Sequence, residues 1–175
     1  AGREPAATLA ARMTACLLAL DTATDRLAAA LRAPGLRRCI DEPGGALAST
    51  RLIPLLMGLL AESGRGLAQV QAVAFGQGPG AFTGLRTACA VAQGLALAHD
   101  TPVLAIDSLL IVAEDARAQA GAGAGPDWWV AMDARMDEVY AAAYRHGPGG
   151  WQAQVAPRLW ALPALAEAWA AQPSR

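Results

Sequence analysis

The order of its apolar segments is what most constrains the fold of this chain. Three short apolar runs, at 16–20, 26–32 and 36–40, are separated only by turn residues, which is typical of antiparallel strands. Helical and strand patterns then alternate: a helix at 46–63, a strand at 71–75, a helix at 83–99, a strand at 102–106 and a helix at 108–119. The order β-β-β-α-β-α-β-α predicts an α/β fold with a mixed sheet covered by helices.

This order is the pattern of a ribonuclease H-like lobe. The composition of the chain also suggests where that lobe ends. The low-complexity glycine and alanine stretch 121–126 is predicted to be a linker between a first lobe at 13–120 and a second at 127–175. The second lobe shows three strand patterns and a closing helix, but at about 50 residues an independent core is marginal, so this lobe is expected to pack against the first. Residues 1–12 are expected to be a disordered extension.

Composition excludes several classes of protein. All 14 basic residues are arginine, so a P-loop lysine and a Schiff-base lysine are absent, and the net charge of −1 gives no overall field that attracts RNA. The apolar stretches are shorter than the roughly 20 residues that cross a bilayer, so no membrane association is expected. Cys16, Cys39 and Cys89 lie far apart and favour a reducing, cytoplasmic location. His99 and His146 lack metal-binding spacing and are expected at the surface.

The glycine-rich segment 76–84 is the most distinctive local motif. It joins a predicted strand to a predicted helix, where backbone N–H groups and the helix dipole favour anions. However, Pro79 removes one donor, and the glycine spacing is not that of a dinucleotide-binding loop. Two interpretations stay open: a tight turn with close helix packing, or contact with an anion or a partner. The residues concerned are Gly78, Pro79, Gly80, Phe82, Thr83, Gly84 and Arg86.

Candidate catalytic groups are few. Asp21, Asp107 and Asp133 follow predicted strands, where a ribonuclease H-like nuclease would hold metal ions. However, Asp21 and Thr22 suit a turn whose side chains bond their own backbone. Asp107 or Ser108 is placed to cap a helix. We therefore predict no catalytic and no metal-binding residues.

Several strings in the sequence resemble one protein family. The string GQGPGAFTGLR at 76–86, followed by QGLA at 93–96, closely resembles the TsaB (YeaZ) family. Three further matches stand in the same order: LDTAT at 20–24, Ser108–Leu109 at the start of a helix, and DARMDEVY at 133–140. The resemblance covers about residues 13–145.

The resemblance implies an actin-like ATPase fold and a non-catalytic role. In that family the protein is a dimerisation and activation subunit for a paralogous catalytic subunit, TsaD, which adds threonylcarbamoyl to N6 of adenosine 37 in tRNA. A small ATPase, TsaE, joins them. The resemblance therefore implies no intrinsic cofactor, ATP or ADP at most at the partner interface, tRNA contact only through the complex, and a homodimer as an alternative pairing. The runners-up are an ATP-dependent kinase of the same superfold and a ribonuclease H-like nuclease.

The same likeness places the pairing surface on the helices around 47–61 and 83–98. Its candidate contact residues are Arg51, Leu52, Leu55, Leu56 and Leu59, although at least half of these leucines are expected to face the protein's own core. The chain also departs from the family. Ala48 precedes Ser49 where a histidine is usual, Thr87–Ala88 replaces isoleucine–glycine, and Asp107 stands where a small residue is usual. Such proteins usually continue past position 175, so the second lobe is expected to be incomplete.

Overall fold

A computed structural model of the chain describes residues 15–123 and 125–171, which form two compact units. The first unit ends at Gln77 and resumes over Ala81–Ala105, and the second contains Gly78–Gly80 and the chain from Ile106 onward. The extension predicted at 1–12 lies outside the described residues, as does residue 124 of the predicted linker.

The first sheet has five strands in the order β3-β2-β1-β4-β5. Strands β1 and β2 pair antiparallel, as do β2 and β3, whereas β1 and β4 are parallel, so the predicted mixed sheet is confirmed. The elements are β1 (Leu17–Asp21), β2 (Arg26–Ala33), β3 (Leu36–Pro43), α1 (Ala48–Glu62), β4 (Ala72–Gly78), α2 (Phe82–Leu97) and β5 (Val103–Asp107).

The core of the first unit lies between this sheet and its two helices. Alternate residues of β1 are buried, with Leu18 and Leu20 inward and Leu17 only half-buried, which is the period-two pattern of a strand with one covered face. Helix α1 contacts β2, α2 contacts β1, and the two helices contact each other. Gly64 ends α1 as predicted, at φ 66° and with its N–H on the carbonyl of Ala61 at 2.9 Å.

The second unit is a three-stranded antiparallel sheet between two helices. Its strands lie in the order β6-β7-β8, and α3 contacts β6 and β7 while α4 contacts β7 and β8. Ala142 and Tyr144 pack with Leu109 of α3, so the alternate residues Ala141 and Ala143, also buried, face the opposite side. The elements are α3 (Ser108–Ala120), β6 (Asp127–Arg135), β7 (Glu138–Gly147), β8 (Gly150–Ala161) and α4 (Leu162–Ala170).

The structure differs from the sequence-based expectations at three places. Helix α3 belongs to the second unit because it packs against β6 and β7, although the predicted first lobe included it. Strand β8, predicted at 151–155, runs on to Ala161 through Pro157; an edge strand tolerates a proline because one side of it forms no ladder bonds. Pro54, expected at a kink or in the first turn, is the seventh residue of α1.

One described segment, Gly45–Glu62, has the length and composition of a membrane-crossing helix, with a mean hydropathy of 1.3 over 18 residues. Its leucines Leu52, Leu56, Leu59 and Leu60 are buried in the core of the first unit. Buried residues make up only 28% of the segment, so it packs against the core along one side and leaves other apolar residues exposed.

Candidate functional site

The turn after β1 fixes the start of helix α2. The buried hydroxyl of Thr22 donates to the carbonyl oxygen of Gly84 at 2.7 Å. The N–H of Ala81 donates to the carbonyl of Ala23 at 2.6 Å, and Asp21 Oδ1 accepts the N–H of Ala23 at 2.7 Å. A Cβ at Gly84 would overlap the carbonyl oxygen of Thr22, so this approach requires glycine.

The preceding part of the glycine segment is anchored within the second unit. The N–H of Gly78, a buried residue at φ 105°, donates to Ser108 Oγ at 3.2 Å. Asp107, one of the two predicted candidates, is the N-cap of α3, and its Oδ1 accepts the N–H of Leu109 at 2.9 Å. Its Oδ2 accepts the hydroxyl of Tyr144 at 2.5 Å. Burial, then this carboxylate, raises the pKa of Tyr144, so the phenol keeps its proton and acts as a donor.

The first turn of α2 is largely exposed. Phe82 is 73% exposed, Thr83 is exposed, and the N-cap residue, Ala81, has no polar side chain to cap this N-terminus. The guanidinium of Arg86 lies 5.2 Å from the centroid of the Phe82 ring. The segment therefore combines close packing at Gly84 with an exposed helix start that is chemically suited to an anion or a partner.

Helix α1 turns most of its predicted contact residues inward. Leu52, Leu56 and Leu59 are buried in the core of the first unit, so their side chains do not form an exposed surface as the interface prediction required. Leu55 is half-buried against the same core, whereas Arg51 is exposed. The correction has a simple cause: leucines at helical spacing cover a sheet as readily as they bind a partner.

The exposed apolar side chains of α1 are Ile53 and Met57, which are 48% and 43% exposed. They are four residues apart and therefore lie on the same side of the helix, which we call the outer face of α1. To one side of it, a cleft of about 360 Å³ lies between β3 and α1. In this cleft Arg51 Nη2 lies 2.7 Å from Glu42 Oε1, within ion-pair distance but without the geometry of a hydrogen bond.

The three aspartates considered for a nuclease are each engaged in a local hydrogen bond. Asp21, Asp107 and Asp133 each accept a nearby backbone N–H, and within residues 15–123 and 125–171 no three His, Cys, Asp or Glu side chains group around a common point. His99 is exposed, and the ring of His146 lies 4.9 Å from that of Trp151.

The tryptophans serve the packing of the second unit. Trp128 packs against the α3 side of the sheet. Trp129, on the other side, contacts Trp160 edge-on at 6.4 Å and stacks on Trp169 of α4 at 5.8 Å.

Two features of the site were missed by sequence reasoning. The sequence offered a signal for the outer face of α1, since Ile53 and Met57 follow the inward stripe of Leu52 and Leu56 by one residue each. It offered none for the bond between Asp107 and Tyr144, because 37 residues separate them and both residue types suit many environments.

Comparison with known proteins places the chain in a family. A protein-family model described as TsaD, tRNA N6-adenosine threonylcarbamoyltransferase, matches residues 46–165. The tRNA threonylcarbamoyladenosine biosynthesis protein TsaB of Haemophilus influenzae is 44% identical over 124 residues, 71% of this chain and 51% of that protein. TsaB of Escherichia coli is 37% identical over 134 residues, 77% of this chain and 57% of that protein. This chain thus spans little more than half the length of these curated relatives.

A solved structure supports the same family assignment. YeaZ from Pseudomonas aeruginosa superimposes with a TM-score of 0.78 at 41% identity, over 84% of this chain and 68% of that one. This similarity, together with the five-stranded mixed sheet, confirms the predicted ribonuclease H-like, actin-like fold. The chain belongs to the TsaB (YeaZ) family.

Proposed function

We propose that this chain is a non-catalytic partner subunit in the complex that adds threonylcarbamoyl to N6 of adenosine 37 in tRNA. In this proposal a TsaD-like subunit carries out the transfer, a TsaE-like ATPase joins the complex in the cytoplasm, and tRNA is bound through the complex. The supporting observation is that a member of the TsaB family leaves apolar side chains exposed on α1, a helix whose inward side is already packed.

The outer face of α1 is the proposed docking surface for the TsaD-like subunit. Ile53 and Met57 extend the apolar character of α1 beyond its own core. Each is about half exposed, so burying the rest would contribute about half of the roughly 1.5–3 kcal/mol of a fully exposed side chain. Arg51 and Leu55 lie on another side of α1, in the cleft with β3, so none of the five predicted contact residues belongs to the outer face. A second copy of the chain would use the same apolar face, so homodimer and complex would compete.

The chemistry of the chain supports a non-catalytic role. The sequence has no lysine and only two histidines, and Asp21, Asp107 and Asp133 are each engaged in local hydrogen bonds. None of these groups is arranged as a nucleophile with an adjacent base.

The exposed start of α2 is the proposed place where the chain meets a nucleotide held by the partner. Its uncapped N–H groups and Arg86 favour phosphate, and Phe82 offers a ring surface. The absence of a P-loop lysine makes tight binding by this chain alone unexpected.

Reconstitution of the tRNA modification tests the proposal. Purified TsaD-like subunit, TsaE-like ATPase, tRNA and threonylcarbamoyl donor are incubated with and without this chain, and modified adenosine is measured. We expect modification to require the chain, and the chain alone to give none. Modification by the chain alone, or equal modification without it, would reject the proposed role.

A further inference from the structure

The hairpin between β2 and β3 carries two arginines directly opposite each other. Arg32 pairs with Arg37 beside the turn, which places both side chains on one face of the sheet. Their neighbours Leu31 and Ala33 point into the core, so the two arginines lie on the face away from the helices, where both are exposed. Like charges that face each other across two strands destabilise a sheet. The hairpin therefore keeps a repulsive pair that a bound anion would stabilise.

Two further arginines lie at the same end of the sheet. Arg38 pairs with the buried Leu31 and is exposed on the helix side of the edge strand β3. Helix α1 runs back along β3, so Arg65, three residues after the end of α1, lies near the start of that strand. The Nε of Arg65 is buried and has no hydrogen-bond partner among the described residues. We call Arg32, Arg37, Arg38 and Arg65 the basic end of the first unit.

The positive charge of the basic end is not offset within the chain that the structure describes, residues 15–123 and 125–171. None of its four guanidinium groups forms an ion pair there. The other described arginines of the first unit each have a partner, a carboxylate for Arg26 and Arg51 and an aromatic ring for Arg86. Glu62 and Asp100 lie toward the same end of the sheet, but neither pairs with the four arginines.

The surroundings of the basic end favour phosphate over a protein partner. The large apolar side chains of β2 and β3 are all buried or half-buried, whereas the centre of a protein–protein interface is built from exposed apolar and aromatic side chains. Interfaces with nucleic acid are polar and positively charged, and arginine binds a phosphate through two parallel N–H bonds. The Cβ atoms of a cross-strand pair are about 5 Å apart, so Arg32 and Arg37 can contact one phosphate or two successive ones.

We propose that the basic end of the first unit binds the phosphodiester backbone of tRNA in the assembled complex. The inference rests on the proposed function, which supplies the tRNA. Arg37 and Arg38 are successive strand residues and face opposite sides of β3, so the four guanidinium groups form a strip rather than a closed pocket. A strip suits an extended polyanion better than a single phosphate. Because the net charge of the chain is −1, this contact is local and adds to binding by the complex.

A double variant, Arg32→Gln with Arg37→Gln, tests the contact in the complex with the TsaD-like subunit and the TsaE-like ATPase. Affinity for tRNA is measured by fluorescence anisotropy over a range of salt concentrations. Each phosphate contact contributes about 0.7–0.9 to the slope of log affinity against log salt. We therefore expect the slope to become shallower by about 1.5, and the affinity at low salt to fall at least about tenfold. The melting temperature of the chain should not fall, because the variant removes a like-charge pair.

Two further variants separate a phosphate contact from a general effect of charge. Arg26→Gln with Arg145→Gln is the matched control, because it removes the same charge from two exposed arginines that already have carboxylate partners. Its salt slope and tRNA affinity should equal those of the wild type. Arg32→Lys with Arg37→Lys keeps both charges and should keep the salt slope.

Every other outcome contradicts the inference. Equal salt slopes for the wild type and the double variant would show that the basic end does not touch tRNA. An equal loss in the matched control would reduce the effect to net charge. Weaker assembly of the double variant with either protein subunit, with unchanged tRNA affinity of the assembled complex, would assign the arginines to an acidic protein surface. A wild-type complex that binds no tRNA would reject the proposed function itself, which distinguishes the two failures.

Discussion

Thr22 and Gly84 hold each other in place from both directions. The Thr22 hydroxyl donates to the Gly84 carbonyl at 2.7 Å, and the Gly84 Cα lies so close to the Thr22 carbonyl that no Cβ fits between them. The turn after β1 and the start of α2 are therefore fixed to each other across 62 residues of sequence. The direction in which α2 starts depends on this contact.

Gly84→Ala is expected to destabilise the chain by about 1–3 kcal/mol or more. The added methyl group would overlap the backbone carbonyl of Thr22, which would have to move. Gly94→Ala, in the same helix with open space around it, is the matched control and should stabilise by about 0.5–1 kcal/mol. Urea unfolding monitored by circular dichroism measures both. If Gly84→Ala left the free energy of unfolding unchanged, or changed it in the same way as Gly94→Ala, the close approach of Gly84 to Thr22 would be contradicted.

Leu56→Ala is expected to cost about 2–5 kcal/mol in the free energy of unfolding, since Leu56 is fully buried between α1 and the sheet. Ile53→Ala, three residues earlier and half exposed, should change that free energy by less than about 0.5 kcal/mol. Denaturant titration separates the two sides of the helix. Similar losses for both variants would mean that α1 is oriented differently.

Tyr144→Phe is expected to cost about 1.5–3 kcal/mol at neutral pH, because the carboxylate of Asp107 loses a part-buried hydrogen bond. The raised pKa of Tyr144 adds a pH dependence. Below about pH 10 the phenol is protonated in both states; above it the unfolded chain ionises first, so the wild type loses stability as pH rises. The variant should lose less over that range. Tyr140→Phe, a half-buried tyrosine on the same strand, is the control.

Glu114 is expected to make a small contribution to the free energy of unfolding, and this contribution is lost in acid. The hydrogen bond from Arg117, and then that from Trp151, lower the pKa of Glu114 to about 2 from 4.5. A lowered folded-state pKa stabilises above the unfolded value, so this contribution is complete above about pH 4.5 and is lost as pH falls toward 2. The carboxylate is half exposed, so screening keeps the effect below about 1 kcal/mol. Glu114→Gln should flatten the unfolding free energy in that window, and an unchanged slope would exclude the contribution.

Most of the fold could be predicted from local patterns in the sequence. Turn residues such as Pro34–Gly35 and Gly64, and the spacing of the leucines in α1, act within a few residues of themselves, so they identify strands and helices without a structure. The placement of α3 did not follow from such patterns. Its sequence fits either unit, and only packing against β6 and β7 assigns it to the second.

The candidate site was predicted less completely than the fold. The glycine string located the start of α2 because glycine is required where Gly84 meets Thr22. Leu52 and Leu56, predicted to contact a partner, are buried, and the exposed apolar side chains of α1 are their neighbours Ile53 and Met57. The sequence of an amphipathic helix indicates which side is more apolar. Which of its apolar side chains remain exposed beside the buried ones can be seen only in the folded structure.

The central claim is that the chain acts by docking the outer face of α1 onto a TsaD-like transferase subunit. Calorimetric titration of that subunit with the full chain tests it most directly, using Ile53→Asp with Met57→Asp, and Val112→Asp on an exposed apolar position of α3 as the matched control. The account predicts that the wild type and the control bind alike and that the double variant binds at least about 100-fold more weakly. Equal binding by all three chains would contradict it.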